Sequence, residues 1–374
     1  MAVRIPLRKY IPKAKQYDAI IRRHDAGVLV EDAWGRSQYF ESHTEGLQFA
    51  VNSYNTIYMK KGEYNVGQLR IENKNGASIV AENAIFNVVD EGASTFTTPL
   101  GTVMPAVIVR NSNSIFIRGM RIQDSGELRS PGVYRDGVTV INSEDVTIDS
   151  VSVFNTAGMG MRITSTGTYY RDNPDASVLN TKRVHIFNCT VSGTKSYIDQ
   201  GIKGFAIEID WSENVTVESC YVSECQESHF RTHAARSVVF MNNLSMNEIN
   251  GEPFDIFRSD HIIIKNNKII SDRTGIYIYE YTRNILVEGN DLQSSVSTAS
   301  IRLRDGEPGT MENITIRDNT TRGIIQLNAT ILRNINIINN TASKLIIVPR
   351  RETNEVSDIV IENNMFTSPG RNVE

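Results

Sequence analysis

Gly251-Glu252-Pro253-Phe254-Asp255-Ile256-Phe257-Arg258-Ser259-Asp260-His261-Ile262-Ile263-Ile264-Lys265-Asn266-Asn267 decides how the rest of the chain is read. Ile262 and Ile264 are apolar and two apart, and Asn267 follows five residues after Ile262. The same pattern recurs nine times between Val146 and Asn364. Its first apolar positions are Val146, Val184, Val215, Val238, Ile262, Ile285, Ile314, Ile335 and Ile359. The +5 positions are Val151, Cys189, Cys220, Asn243, Asn267, Asn290, Asn319, Asn340 and Asn364. Spacing is mostly 21–24 residues, with longer intervals where loops are inserted. A fixed period built of short apolar alternations marks a solenoid. A period of two along each copy means strand rather than helix. The expectation is an all-β solenoid whose coils stack about 4.8 Å apart.

In such a stack the +5 asparagines form an internal ladder. Each side-chain amide donates to one coil and accepts from the other, which satisfies buried polar groups at a tight corner. With this ladder the chain resembles the right-handed parallel β-helix superfamily, which includes pectate lyases, polygalacturonases, mannuronan epimerases and phage tailspikes. The resemblance covers roughly residues 40–366 and speaks to fold more than to function.

A solenoid is one continuous domain, so 374 residues need not be two. The expected division is an N-terminal arm and lead-in over residues 1–41, then the β-helix over 42–374. Ile5-Pro6-Leu7-Arg8-Lys9-Tyr10-Ile11-Pro12 reads as extended, since each proline disfavours helix before it. Ser42-His43-Thr44-Glu45 is a capping box ahead of Leu47, Phe49, Ala50 and Val51. It predicts a short helix covering the open end of the solenoid. Thr56–Tyr64 resembles the strand-Gly-Tyr entry of pectate-lyase-like and tailspike β-helices, with Lys60 where the family usually has proline.

The net charge of −4 argues against nucleic acid as the main partner. Three cysteines exclude a disulfide framework; Cys189 and Cys220 fall on the ladder as expected buried thiols. Met1–Ile20 has no apolar signal region and no membrane span is expected. Synthesis in a cytoplasm follows, with release by lysis or as a virion part if the protein acts outside.

Insertions interrupt the coils at Glu91–Met104, Ser125–Asp136, Ser165–Lys182 and Gly193–Gly204. Loops on a rigid scaffold commonly carry binding. Each coil also has a strand before its ladder strand. Aligned by their inward pairs, these strands present Thr139/Ile141, Arg162/Thr164, Glu208/Asp210, Arg231/His233, Asp255/Phe257, Tyr277/Tyr279 and Arg302/Arg304 outward. Stacking sets Arg231 about 5 Å from both Glu208 and Asp255. One reading is a structural salt-bridge ladder.

The other reading is a groove for an acidic polysaccharide. Phe257, Tyr277, Tyr279 and Trp211 offer faces to sugar C–H groups. Arg162, Arg231, Arg302 and Arg304 suit carboxylates. His233, Asp255, Asp210, Glu208 and Tyr277 are the candidate catalytic groups. Phe230-Arg231-Thr232-His233 is similar to the Phe-Asp-Pro-His segment of mannuronan epimerases, with Asp255 one coil on. Arg231 stands where that segment has Asp, so the resemblance reaches His233 and not Arg231. His229 precedes this strand and is expected to reach the rim. No zinc, phosphate-loop or nucleophile-elbow motif occurs, and no cofactor is called for, with a calcium requirement left open.

Two classes follow. The first is a lyase or epimerase working by proton abstraction, with a glycoside hydrolase using Glu208, Asp210 and Asp255 as its runner-up. The second is a non-catalytic glycan-binding spike. For the spike, the unrepeated arm and the entry motif point to a homotrimer.

Overall fold

The computed structural model describes residues 16–99, 101–167, 177–295, 297–304, 310–347, 355–368 and 372–373. The extended segment Ile5–Pro12 and the Tyr169–Pro174 part of the Ser165–Lys182 insertion lie outside them. Every coil follows the quoted stretch. Phe254–Phe257, Asp260–Lys265 and Lys268–Ile270 are three strands, one for each face of the solenoid. Stacked coils give one sheet of 15 strands and two of 12, and each coil pairs in parallel with the next.

The corners explain the Asn-Asn dipeptides. Asn242, Asn266, Asn339 and Asn363 take φ between 53° and 56°, the left-handed region that asparagine tolerates, and Gly289 and Asp318 take the same place on other coils. The next residue then turns inward as a ladder rung. Asn243 Nδ2 donates to Asn267 Oδ1 at 3.0 Å, and the same bond joins Asn267 to Asn290, Asn290 to Asn319, Asn319 to Asn340 and Asn340 to Asn364. Each Oδ1 also accepts the preceding rung's backbone N–H. Asn243 through Asn340 are buried, and Asn364, on the last coil, is half-buried. Cys189 and Cys220 continue the row as buried free thiols that donate to backbone carbonyls.

The core is one column along the axis. A single coil places Phe254, Ile256, Ile262, Ile264 and Ile269 in it, each worth roughly 1.5–3 kcal/mol of burial. Phe230 and Phe254 stack across coils at 4.7 Å.

The capping helix spans His43–Ser53, with the Ser42 hydroxyl accepting from the Glu45 N–H as its capping box requires. It buries Leu47, Ala50 and Val51 on the first coil. The lead-in is strand from Ala19 onward. Ala19–His24 pairs parallel with Thr56–Met59, and Gly27–Asp32 and Ser37–Phe40 add two antiparallel strands beyond it. At least this part of the expected arm extends the ladder sheet itself. Among the described residues no helix is long and apolar enough to cross a membrane.

Candidate functional site

The outward pairs fall where the alternation places them. Arg162, Glu208, Arg231, Asp255, Tyr277 and Arg302 form one row of residues in successive register. Asp210, His233, Phe257, Tyr279 and Arg304 form the row beside it. These are rows on one face because side chains alternate along a strand and adjacent coils are in register.

Outward does not mean exposed over the first half of this face. Ile108, Thr139, Arg162, Thr164, Glu208 and Asp210 all have 0 % exposure. A roof covers them. Insertion residues Phe96–Thr98, Gly101–Val103 and Val133–Tyr134 pair as a small sheet of their own. Val103, Tyr134, Met159, Ile202 and Phe205 pack into a second apolar core, joined by Leu128 and Tyr197. The Tyr134 hydroxyl donates to Gly201 O at 2.8 Å and the Tyr197 hydroxyl to Gly126 O at 2.7 Å, tying the insertions together.

Beneath the roof the charges alternate in sign along the axis. Arg162 Nε donates to Asp136 at 2.8 Å, and its Nη1 lies 3.7 Å from Glu208. Arg231 Nη1 donates to Glu208 at 2.6 Å, and its Nε lies 3.2 Å from Asp255. Tyr134 covers the Arg162 guanidinium at 4.7 Å, and Phe205 covers that of Arg231 at 4.5 Å. Three expectations change with this. Arg162 is sealed from any substrate. Glu208 and Asp210 are sealed too, so they act only through their neighbours. Arg231, committed to two carboxylates and an aromatic face, is not placed to receive a substrate carboxylate as its main partner.

Burial pushes the Glu208 carboxyl above its usual range against the pull of Arg231 and Arg162. Burial also raises Asp255, opposed by Arg231 and by a hydrogen bond from Tyr279. The Tyr279 hydroxyl is pushed far up, first by burial and then by Asp255. Against the cost of burial, Glu208 and Asp255 hold Arg231 protonated.

The face opens at His233. Its Nδ1 lies 3.1 Å from Asp210 Oδ1, and the other Asp210 oxygen accepts from Thr164 at 3.1 Å. The imidazole stacks on Phe257 at 5.0 Å, Phe257 on Tyr279 at 4.6 Å, and Tyr279 on Tyr277 at 4.7 Å. Arg302 and Arg304 follow on the next coil, partly exposed, with Arg302 Nε donating to Gln326 at 2.9 Å. Trp211 sits in the corner after its strand, at φ 50°, instead of on this face.

The chain matches the family model "Right handed beta helix region" over residues 105–252 and 254–370, more than half its length. It belongs to the right-handed β-helix family. Solved β-helices of similar shape include the A-module of the Azotobacter vinelandii mannuronan C-5 epimerase AlgE6, with TM-score 0.58 and 13% identity over 88% of this chain and 96% of that one. A hyperthermoactive exopolygalacturonase from Thermotoga maritima gives TM-score 0.58 and 9% identity over 83% and 85%. The Dettilon tailspike protein gp208 gives 0.51 and 13% over 82% and 64%. At these identities the likeness is one of fold. No curated protein matches the sequence.

His229 does not reach the rim of this β-helix. It is fully buried, its Nδ1 is 2.7 Å from Ser245 Oγ, and burial lowers its pKa to about 3. Among the described residues no group of three His, Cys, Asp or Glu side chains converges on a metal-sized site. Sequence reasoning passed over Asp136, the partner of Arg162, and Glu252, whose carboxyl is raised by burial and by Asp255. It also passed over Tyr134, Tyr197 and Phe205. Aromatics recurring in glycine-bearing insertions were the available sign that those insertions pack on one another.

Proposed function

We propose that this protein holds an extended acidic glycan on the open half of the strand face and acts on it as a lyase or epimerase. The observation that carries this is His233: an imidazole with one nitrogen against a buried carboxylate, stacked on an aromatic row, where the roof ends. Facing Asp210 orients the ring and leaves Nε2 for the substrate. In a uronate ring the proton next to the carboxylate passes to Nε2. A lyase then forms the ring double bond as the glycosidic oxygen leaves with a proton. Tyr279, whose hydroxyl is held protonated by burial and by Asp255, is the nearby donor. An epimerase instead returns a proton to the opposite face. Arg302 and Arg304, three coils farther along, bind the carboxylates of sugars beyond the one at His233. Phe257, Tyr277 and Tyr279 supply the sugar platform.

A hydrolase is the second reading, favoured by Asp255 and Glu252, two carboxyls raised together by burial. Incubation with uronate and capsular polysaccharides separates the two. An ultraviolet-absorbing unsaturated end marks a lyase, whereas a new reducing end without absorbance marks a hydrolase. On a confirmed substrate, His233→Gln should lower the rate by about 10²–10⁴-fold. Full activity in that variant would falsify the proton-abstraction mechanism and move the role to Asp255. The proposal includes a homotrimeric spike with roughly parallel coil axes. A monomer in sedimentation at micromolar concentration would count against that assembly.

A further inference from the structure

We infer that the groove is closed at one end, so that the protein takes glycan chains by their terminal residues and not along their length. This rests on the glycan reading above. The candidate ligand groups line up along the stacking direction, from His233 through Phe257 and Tyr279 to Arg304. A glycan lying on them therefore runs along the axis. Toward the C-terminal coils nothing described blocks it: Arg302, Arg304, Gln326 and Asn328 all retain exposure. Toward the N-terminal coils it meets Phe205, which is 6% exposed and seated on the Arg231 guanidinium. Beyond Phe205 the next four coils present Glu208, Arg162, Thr139 and Ile108 on the same row, all wholly buried.

The wall is built into the fold. Ser196 N–H donates to Gln226 at 2.7 Å, Gly204 N–H to Ser196 Oγ at 2.8 Å, and the two tyrosine bonds tie its loop to the neighbouring insertions. Its inner side is the second apolar core, so moving it aside exposes Ile202 and Phe205 together. The open strip between the coil of Arg231 and that of Arg302 is about 14 Å, three coil spacings. That length suits the end of a chain. The terminal sugar lies against Phe205 beside His233, and the following sugars lie over the aromatic row and the two arginines. Phe205 is then the residue that sets where a chain must stop.

The test is titration of the full-length protein against size-fractionated polygalacturonate and polymannuronate. If chains are held by an end, the number of protein molecules bound per glycan chain stays constant as the chains lengthen. Turnover then releases small products while the remaining polymer stays long. A binding capacity that grows with chain length, or early products of mixed internal sizes, overturns the closed end and leaves glycan recognition standing. Absence of binding to either polymer at every length removes the glycan reading, and the closed end with it.

Discussion

Two halves of one strand face use the same alternation for opposite ends. Under the roof, Arg162, Glu208 and Asp210 are charged, outward-facing and wholly buried. Past Phe205, His233, Tyr277, Arg302 and Arg304 occupy equivalent positions and meet solvent. Strand register decides which residues share a row. Burial decides whether a row is structure or surface, and here burial comes from chain segments outside the repeat.

The sharpest way to break this comparison is Arg162→Met. It leaves Asp136 buried without its cation, while Glu208 keeps Arg231, and should cost about 3–5 kcal/mol in urea unfolding. A cost below about 1 kcal/mol would mean that water reaches the covered half. Acid comes next. His229 titrates near 3 when folded and near 6.5 when unfolded, so the unfolded chain binds the extra proton between those values. Stability contributed by keeping it neutral is present above pH 6.5 and lost as pH falls toward 3, at roughly 1.4 kcal/mol per unit. Melting of His229→Gln across that range should show a shallower acid slope than the parent. Glu208 works in the opposite sense: its folded pKa lies above the unfolded one, so its contribution is lost as pH rises past 4.5.

Smaller effects sharpen the contrast. Asn290→Ala removes one rung and leaves its neighbours' groups unpaired, for about 1–3 kcal/mol measured by chemical denaturation. On the open half, Arg304→Gln should change stability by no more than about 0.5 kcal/mol while weakening uronate binding severalfold in calorimetry. A large stability loss there would make the open row as structural as the covered one.

The repeat, the ladder and the helix cap were legible because each rests on neighbours in sequence or on a constant offset. Asn267 announces Asn290 by spacing alone. The register of Arg231 with Glu208 and Asp255 followed from the same offset. The roof was not legible. Val103, Tyr134 and Ile202 come from three separate insertions with no shared period, and only their mutual packing shows that they form a core. The insertions were read as loops that present binding residues; three of them instead seal half of the face. His229 was misplaced for a related reason. Its position before Phe230 suggested the rim, but its side chain is held inside the coil beside Ser245.

The asparagine row has a polarity with no length written into it. From Asn243 to Asn340 each Nδ2 donates to the Oδ1 of the following rung and to a carbonyl of the preceding coil. Each rung therefore recognises only the coil before and the coil after. Nothing in Asn267 registers how many coils lie beyond Asn290. A unit carrying its own left-handed corner and its own rung is interchangeable with its neighbours. Duplicating or deleting one such unit C-terminal to the strand of Arg302 and Arg304 would shift the far end by one coil spacing and leave the cap, the roof and His233 in place. Growth by whole coils is thus a mutational path that this architecture leaves open, whereas one residue inserted within a strand moves that strand's core residues to the outer face.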